Sequence, residues 1–332
     1  MSVARVTRTL VELATELGLS KTTVADALRG SGRVSEATRA RVRQAALESG
    51  YVSNKSARQL RTRTSETIGL YIAPDVRNMP FYMPFAFGVT EAASTREHDV
   101  TLIARSSAST TESWDHLDGA IVIDTTAQDS VVASLVHSNI PVVSAGRVDG
   151  IVAERFSAVI EIEHARACAD ALDILWDRGV RRPALVAPDA RGVHSWAQLL
   201  RDGYQQWCSE HGVEPFVVSL PPFPTNRQLE IEFDRFISDP SIDAVFFGWR
   251  EIADRGLIFF DRSETSGRSR IRVATATSNP TIGPLHSFDV EVDLRPHEFG
   301  RAAADLLLSH VAEPGFSTTH VFHRAEVVSA PI

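Results

Sequence analysis
The chain has 332 residues, 43% apolar and 23% charged, with a net charge of −8. That length predicts two or three domains around a large core, and the composition excludes wholesale disorder. The charge is uneven: residues 1–63 hold twelve Lys or Arg against five Asp or Glu, a balance of +7, which leaves −15 for the remainder. A basic head on an acidic body predicts that the head meets a polyanion and the body does not. No apolar run reaches the length of a membrane span, and MSVARVTRTL lacks the uninterrupted apolar core of a secretory signal. A cytoplasmic protein is expected. Cys168 and Cys208 lack metal-ligand spacing and fall in helical patterns, so buried free thiols are expected, with no metal and no cofactor.

Residues 1–8 read as a basic arm in which Arg5 and Arg8 either touch phosphates or stay solvated. Leu10, Leu13, Ala14 and Leu17 then recur at helical spacing, predicting a helix over about 10–17. Gly18 sits where the chain must reverse. Ser20 is placed to cap a second helix, about Lys21 to Leu28, by accepting the amide of Thr23. Ala14 is small where the two helices would cross, and Val24 fills the facing position. This pattern resembles a DNA-reading helix-turn-helix, with a helical hairpin in some other core as the plain alternative. Ser35 caps a third helix that Gly50 stops, with a small-residue face of Thr38, Val42, Ala45, Ala46 and Ser49. Ser56 to Arg61 holds one and a half turns, too short to stand alone in water. Residues 62–67, TRTSET, read as a linker.

From Ile68 short apolar strands alternate with helices. IGLYIA, VTLIA, GAIVID and PVVSA, then PALVA, FVVSL, AVFFG and IRVAT, read as buried parallel strands. FGVTEAASTREH, EHARACADALDILWDRG and PHEFGRAAADLLLSHV are helical. The fold class is therefore α/β, doubly wound in two similar lobes, with ligands expected at the strand carboxyl ends between them. Only Ser106 to Leu117 link the second strand to DGAIVID, so that face of the first sheet is expected to be thinly covered.

Five stretches, TLVELATELGLSKTTVADAL, RVSEATRARVRQAALESGYVSNKSARQLRT, IGLYIAPDVRN, LWDRGVRRPALV and HEFGRAAADLLL, make the chain resemble the lactose-repressor/galactose-repressor (LacI/GalR) family of bacterial transcription regulators over essentially its whole length. The resemblance implies a three-helix helix-turn-helix domain over 1–53, a hinge helix and linker over 54–65, and a periplasmic-binding-protein-like, two-lobed effector and dimerisation domain over 66–332, with lobe crossovers near 162, 291 and 322. It implies that Thr9, Ser20, Thr22, Tyr51 and Asn54 touch the DNA backbone. Lys21, Thr22 and Asp26 occupy the positions facing base edges. Ala57 and Leu60 match a hinge helix that pairs with its partner's in the minor groove, flanked by Arg58 and Arg61.

The departures bear on specificity. Relatives carry Ser-Arg where this chain has Ala25-Asp26, so Asp26 either accepts from cytosine N4 or pairs with Arg29. In the sensor, Gly146-Arg147, Leu200, Trp249-Arg250, the run Thr275 to Ser278 and Glu163-His164 stand where relatives with sugar or purine effectors carry their polar ligand-binding groups. Phe81, Tyr82, Trp196 and Trp249, with Arg147 and Arg250, are the candidate cleft lining. They suit an aromatic, apolar or anionic effector, a sugar stacked on rings, or a cleft that has lost its ligand.

The leading reading is a sequence-specific, dimeric repressor of a near-palindromic double-stranded operator, set by a small effector. The alternative is a regulator of the same fold with no small effector, controlled by a protein partner or constitutive. An enzyme is not expected: no phosphate loop or nucleophile elbow occurs, and His194-Ser195 has no third partner. A solute-binding protein is opposed by the basic head. A tetramer built through the tail is not expected, because Ala330-Pro331-Ile332 carries no leucine heptad.

Overall fold
The computed structural model describes residues 9–29, 32–49, 51, 64–109, 112–126, 128–148, 154–189, 195–221, 223–263, 270–278, 288–313 and 319–329. Contacts divide the chain into two units, residues 1–64 and 65–332.

In the first unit, α1 (Leu10–Leu17) opens with a capping box: Glu12 N–H donates to Thr9 Oγ1 at 3.3 Å and Thr9 N–H to Glu12 Oε2 at 2.8 Å. Gly18 ends it in the left-handed region at φ 64°. α2 (Lys21–Arg29) starts where Thr23 N–H donates to Ser20 Oγ at 3.0 Å. α3 (Glu36–Glu48) is capped by Ser35 and followed by Ser49, one residue before the expected stop; Gly50 lies outside the described residues. Leu13, Ala14, Leu17, Val24, Ala27, Val42 and Ala46 form the core. Only Val42 and Ala46 of the small-residue face predicted for the third helix are fully buried. Arg41 of α3 donates to Leu17 O at 3.0 Å, satisfying a carbonyl at the end of α1.

The second unit begins with β1 (Thr67–Ile72), α4 (Tyr82–Thr95), β2 (Asp99–Leu102), β3 (Gly119–Ile123), α5 (Ser130–Val136), β4 (Val142–Ala145), β5 (Ala158–Ile162) and α6 (His164–Asp177). It continues with β6 (Pro183–Pro188), α7 (Ser195–His211), β7 (Val217–Leu220), α8 (Asn226–Ser238), β8 (Ala244–Phe247), α9 (Arg250–Ser263) and β9 (Arg272–Ser278). β10 (Val290–Asp293), α10 (Pro296–Ala312), β11 (Thr319–His323) and β12 (Glu326–Ser329) complete it. Two six-stranded sheets result, ordered β11-β5-β4-β3-β1-β2 and β12-β10-β9-β8-β6-β7. All pairs are parallel except β12 with β10. The chain passes between the sheets at residue 163, at 294–295 and at 324–325.

Every strand quoted from the sequence forms. β2, expected to be buried, is instead an edge strand with Asp99, Thr101 and Leu102 exposed, because only β1 pairs with it. The expectation of a thinly covered face is also corrected. The segment between β2 and β3 holds no helix among its described residues, yet Trp114 and Leu117 are each 2% exposed. They pack with Tyr71, Val122, Val131 and Leu135 under α5. Trp114 Nε1–H donates to Ser134 Oγ at 2.9 Å, and that hydroxyl donates to Ser109 O at 2.7 Å. One indole on a strap does the covering that a helix would do. Cys168 and Cys208 are free and buried, on the packed helices α6 and α7.

Candidate functional site
Two places are candidates for function, one in each unit. In the first, Ser20, Lys21 and Thr22 are exposed at the start of α2, where amide dipoles point outward. Thr9 is exposed and already caps α1. Tyr51 packs partly against the three-helix core, its N–H donating to Ala46 O at 2.9 Å; burial raises its phenol pKa, so it remains a hydrogen-bond donor. Asp26 is half-buried. Asn54, Ala57, Arg58 and Leu60, and the side chain of Arg29, lie outside the described residues.

In the second unit a cleft of about 610 Å³ opens at the carboxyl ends of both sheets. Phe81, Tyr82, Arg147 and Trp196 line it, and so do Asp124, Glu161, His164, Leu199, Leu200 and Phe299. Phe81 and Tyr82 stand at the start of α4, Asp124 just past β3, and Phe299 on the first turn of α10. Tyr82 O–H donates to Asp124 Oδ2 at 2.7 Å. Burial, and then the Asp124 charge, push the Tyr82 phenol well above its ordinary range, so it donates at any working pH. Burial lowers the His164 imidazole to about 4, leaving it neutral near pH 7. Glu161 is 8% exposed and stands 3.6 Å from His320 Nε2.

The two walls differ in chemistry. The first lobe supplies Asp124, Arg147 and Glu161. Beside them stand the apolar Met79, Phe81 and Phe299. The second supplies Trp196, Leu199, Leu200, Gly248 and Ala276, with Ser195 and the neutral His164 as its polar side chains and no charged group among the described residues. Trp249 and Arg250 do not line the cleft, which corrects the sequence expectation. Trp249 is buried in the core at 2% exposed. Arg250 turns inward to Glu291, at 3.5 Å, and lies over the Phe288 ring. A cation beside a fully buried carboxylate is held there by charge. His194 lies outside the described residues, and its neighbour Ser195 lines the cleft.

Asp124 and Glu161 were missed from the sequence. Each had a signal: an acid ending the apolar run GAIVI, and the one charge in the strand AVIEI. Among the described residues no group of three His, Cys, Asp or Glu could hold a metal, and no helix is long and apolar enough to cross a membrane.

The profile of the lacI family of bacterial regulatory proteins matches residues 9–54. The regulator IpsA of Corynebacterium glutamicum is 30% identical over 267 residues, 71% of this chain and 73% of IpsA. The chain belongs to the LacI family. It is thus a DNA-binding transcriptional regulator and not an enzyme. The HTH-type transcriptional regulator CelR of Thermobifida fusca is 29% identical over 325 residues, 92% of this chain and 94% of CelR. Two solved structures share the fold over 97% of this chain and 98% of theirs. One is a CelR–cellobiose complex, at 22% identity and TM-score 0.65. The other is the Lac repressor dimer bound to operator and the anti-inducer ONPF, at 17% identity and TM-score 0.76. The LacI-family profile thus covers α1 to α3 and ends at Asn54, and the cleft lies in the part of the chain beyond it.

Proposed function
We propose that this LacI-family protein is a dimeric repressor of a near-palindromic operator, its grip set by a small molecule in the cleft. Its work is then cytoplasmic, where its duplex partner lies. The basic charge of residues 1–63 and the exposed start of α2 support DNA reading by the first unit. Thr9, Ser20 and Tyr51 are assigned to phosphates, with Asn54 beside them, and Lys21 and Thr22 to base edges. Ala57, Arg58 and Leu60 are assigned to a hinge that enters the minor groove. The observation that carries effector control is the position of His164 and Leu294 in the cleft lining. His164 opens α6 directly after the crossing at 163, and Leu294 lies in the crossing that follows β10. An occupant that touches them has differential contacts with open and closed lobes, which is what a switch requires.

The effector reading follows from the two unlike walls. A ligand with a polar end toward Asp124, Arg147 and Glu161, and an apolar or aromatic face against Trp196, Leu199 and Leu200, satisfies both. CelR is known in complex with cellobiose, so cellobiose and phenyl β-glucoside are the first probes. Selection from a random duplex library with the full-length chain should recover a two-fold-related sequence. One of the two probes should then raise the melting temperature and change affinity for that sequence. Recovery of no sequence would refute DNA-specific repression. An operator bound without response to either probe, nor to other small metabolites, would favour control by a protein partner or none.

A further inference from the structure
Asp26 stands where the LacI/GalR resemblance puts a base-reading arginine, but its side chain lies elsewhere. Gly32, in the loop after α2, has φ +73°, and a Cβ built on it would meet Asp26 Oδ2 at 2.8 Å, Cγ at 3.0 Å and Cβ at 3.1 Å. Asp26 Cβ, Cγ and Oδ2 therefore fill the space that a side chain at Gly32 would take. From the other side, Arg39 of α3 donates to Gly32 O at 3.2 Å. The guanidinium is itself held by Glu36 at 3.6 Å and is 22% exposed. Gly32 thus sits between the Asp26 side chain packed beside it and the Arg39 guanidinium bonded to its carbonyl. It is glycine for two reasons, a left-handed backbone and no room for a Cβ.

A base-reading side chain must extend away from its own domain into the groove. Lys21 and Thr22 are exposed and free to do so; Asp26 is half-buried against its own loop. An extended carboxylate would also approach a phosphate-lined surface, where negative charge is repelled. We infer that Asp26 is a positioning residue: it clamps the Gly32 loop, fixes the angle between α2 and α3, and leaves base reading at the start of α2 to Lys21 and Thr22. This rests on the DNA-reading assignment of the first unit and deepens it. Two side chains per head then carry the direct readout, so the operator half-site has fewer strongly specified positions than three readers would give.

The test uses the full-length chain and its Asp26→Asn and Asp26→Ala variants. Each is put through selection from a random duplex library, then titrated against the recovered operator and a scrambled duplex, with circular dichroism melts as a folding check. Asparagine keeps the shape that lies over Gly32; alanine removes it. All three proteins should recover the same base at every half-site position. Asp26→Asn should bind the operator within about threefold of the parent. Asp26→Ala should bind it about tenfold more weakly, with the operator-to-scrambled ratio falling, because a loose loop misplaces α2. A changed base preference in either variant would make Asp26 a reader and overturn the inference, since an asparagine in contact with bases favours adenine. Unchanged operator affinity in Asp26→Ala would also overturn it. If Asp26→Ala fails to fold, the base preference of Asp26→Asn still decides. A parent chain that selects no sequence defeats the proposed function and this inference together; a parent that selects one while Asp26→Asn shifts it defeats only the inference.

Discussion

Gly88 of α4 and Gly300 of α10 bring two helix backbones into contact. A Cβ on Gly88 would stand 1.9 Å from the carbonyl oxygen of His297, and one on Gly300 would stand 2.1 Å from that of Phe85. Because α4 starts at the cleft with Tyr82 and α10 carries Phe299 into it, this crossing sets the aromatic end of the cleft; the Phe85 and Phe299 rings lie 5.4 Å apart. Gly88→Ala must push the helices apart. The expected cost is about 3 kcal/mol, in the upper range for overpacking a tight core, because the neighbour is backbone and cannot rotate away. Urea unfolding of the full chain measures it, and a loss under 1 kcal/mol would show that the helices yield easily.

Trp114 carries the second prediction. It fills the space that a helix would cover between β2 and β3, with Leu117, Val131 and Leu135 around it and the Arg105 guanidinium 5.3 Å above its ring. Trp114→Ala removes a fully buried indole and should cost about 3–5 kcal/mol. Trp114→Phe retains most of the bulk but leaves Ser134 without its indole donor, at a cost nearer 1 kcal/mol plus the residual void. Denaturant midpoints of the two variants should therefore separate widely.

Much of the fold was legible because its signals are local. Apolar runs marked eight strands but not β5, β10, β11 or β12, and Gly18, Ser20 and Ser35 marked helix ends where the chain places them. What was not legible depends on contacts distant in sequence. VTLIA reads as buried from its side chains alone, since being an edge strand depends on the sheet order. The segment with Trp114 was legible in its shortness but not in its packing, for a single tryptophan says nothing of the Ser134 hydroxyl twenty residues on. In the cleft, Phe81, Tyr82, Arg147 and Trp196 were placed by resemblance and do line it. Trp249 and Arg250 were placed by the same reasoning and do not, because Glu291 on β10 draws the guanidinium inward. A position can be aligned from sequence; the direction its side chain takes depends on a partner that sequence does not name.

Tyr82 and Asp124 give a prediction within the cleft. Asp124 holds a left-handed backbone at φ 47°, and its Oδ2 accepts the Tyr82 hydroxyl at 2.7 Å. Tyr82→Phe removes that donor from the carboxylate. Stability should fall by about 1–3 kcal/mol, the range for a hydrogen bond to a charged group. A ligand with its own donor to Asp124 should recover part of the loss, so the melting-temperature rise on binding should be larger in the variant than in the parent. An equal rise in both would place the ligand away from Asp124.

Leu60 tests the proposed hinge. A side chain wedged between base steps contributes at the deformable centre of an operator and little on unselected duplex. Leu60→Ala should weaken operator binding by tenfold or more, about 1.4 kcal/mol or more, and leave scrambled-duplex binding nearly unchanged. Both affinities should fall steeply as salt rises, since phosphate neutralisation by the basic head is common to them. Equal loss on both duplexes would remove the wedge from the account.

His164 predicts a pH dependence of stability in the neutral-to-acid range. Burial lowers its folded pKa to about 4, against 6.5 for an ordinary imidazole. The unfolded chain therefore binds the proton more tightly than the folded one. By about pH 8 the ring is neutral in both states and contributes no slope. As pH falls from 6.5 toward 4, protonation favours unfolding, and at pH 5 the loss amounts to about 2 kcal/mol. His164→Gln removes the titrating group while keeping a polar side chain of similar size beside Trp196, whose ring lies 6.3 Å from the imidazole. The variant should lose less stability than the parent between pH 8 and pH 5, whatever its stability at pH 8. Because His164 lines the cleft, a bound ligand that donates to the neutral ring should lower its pKa further and steepen the parent's acid response. Parallel stability curves for parent and variant from pH 8 to pH 5 would show that His164 takes up its proton without cost.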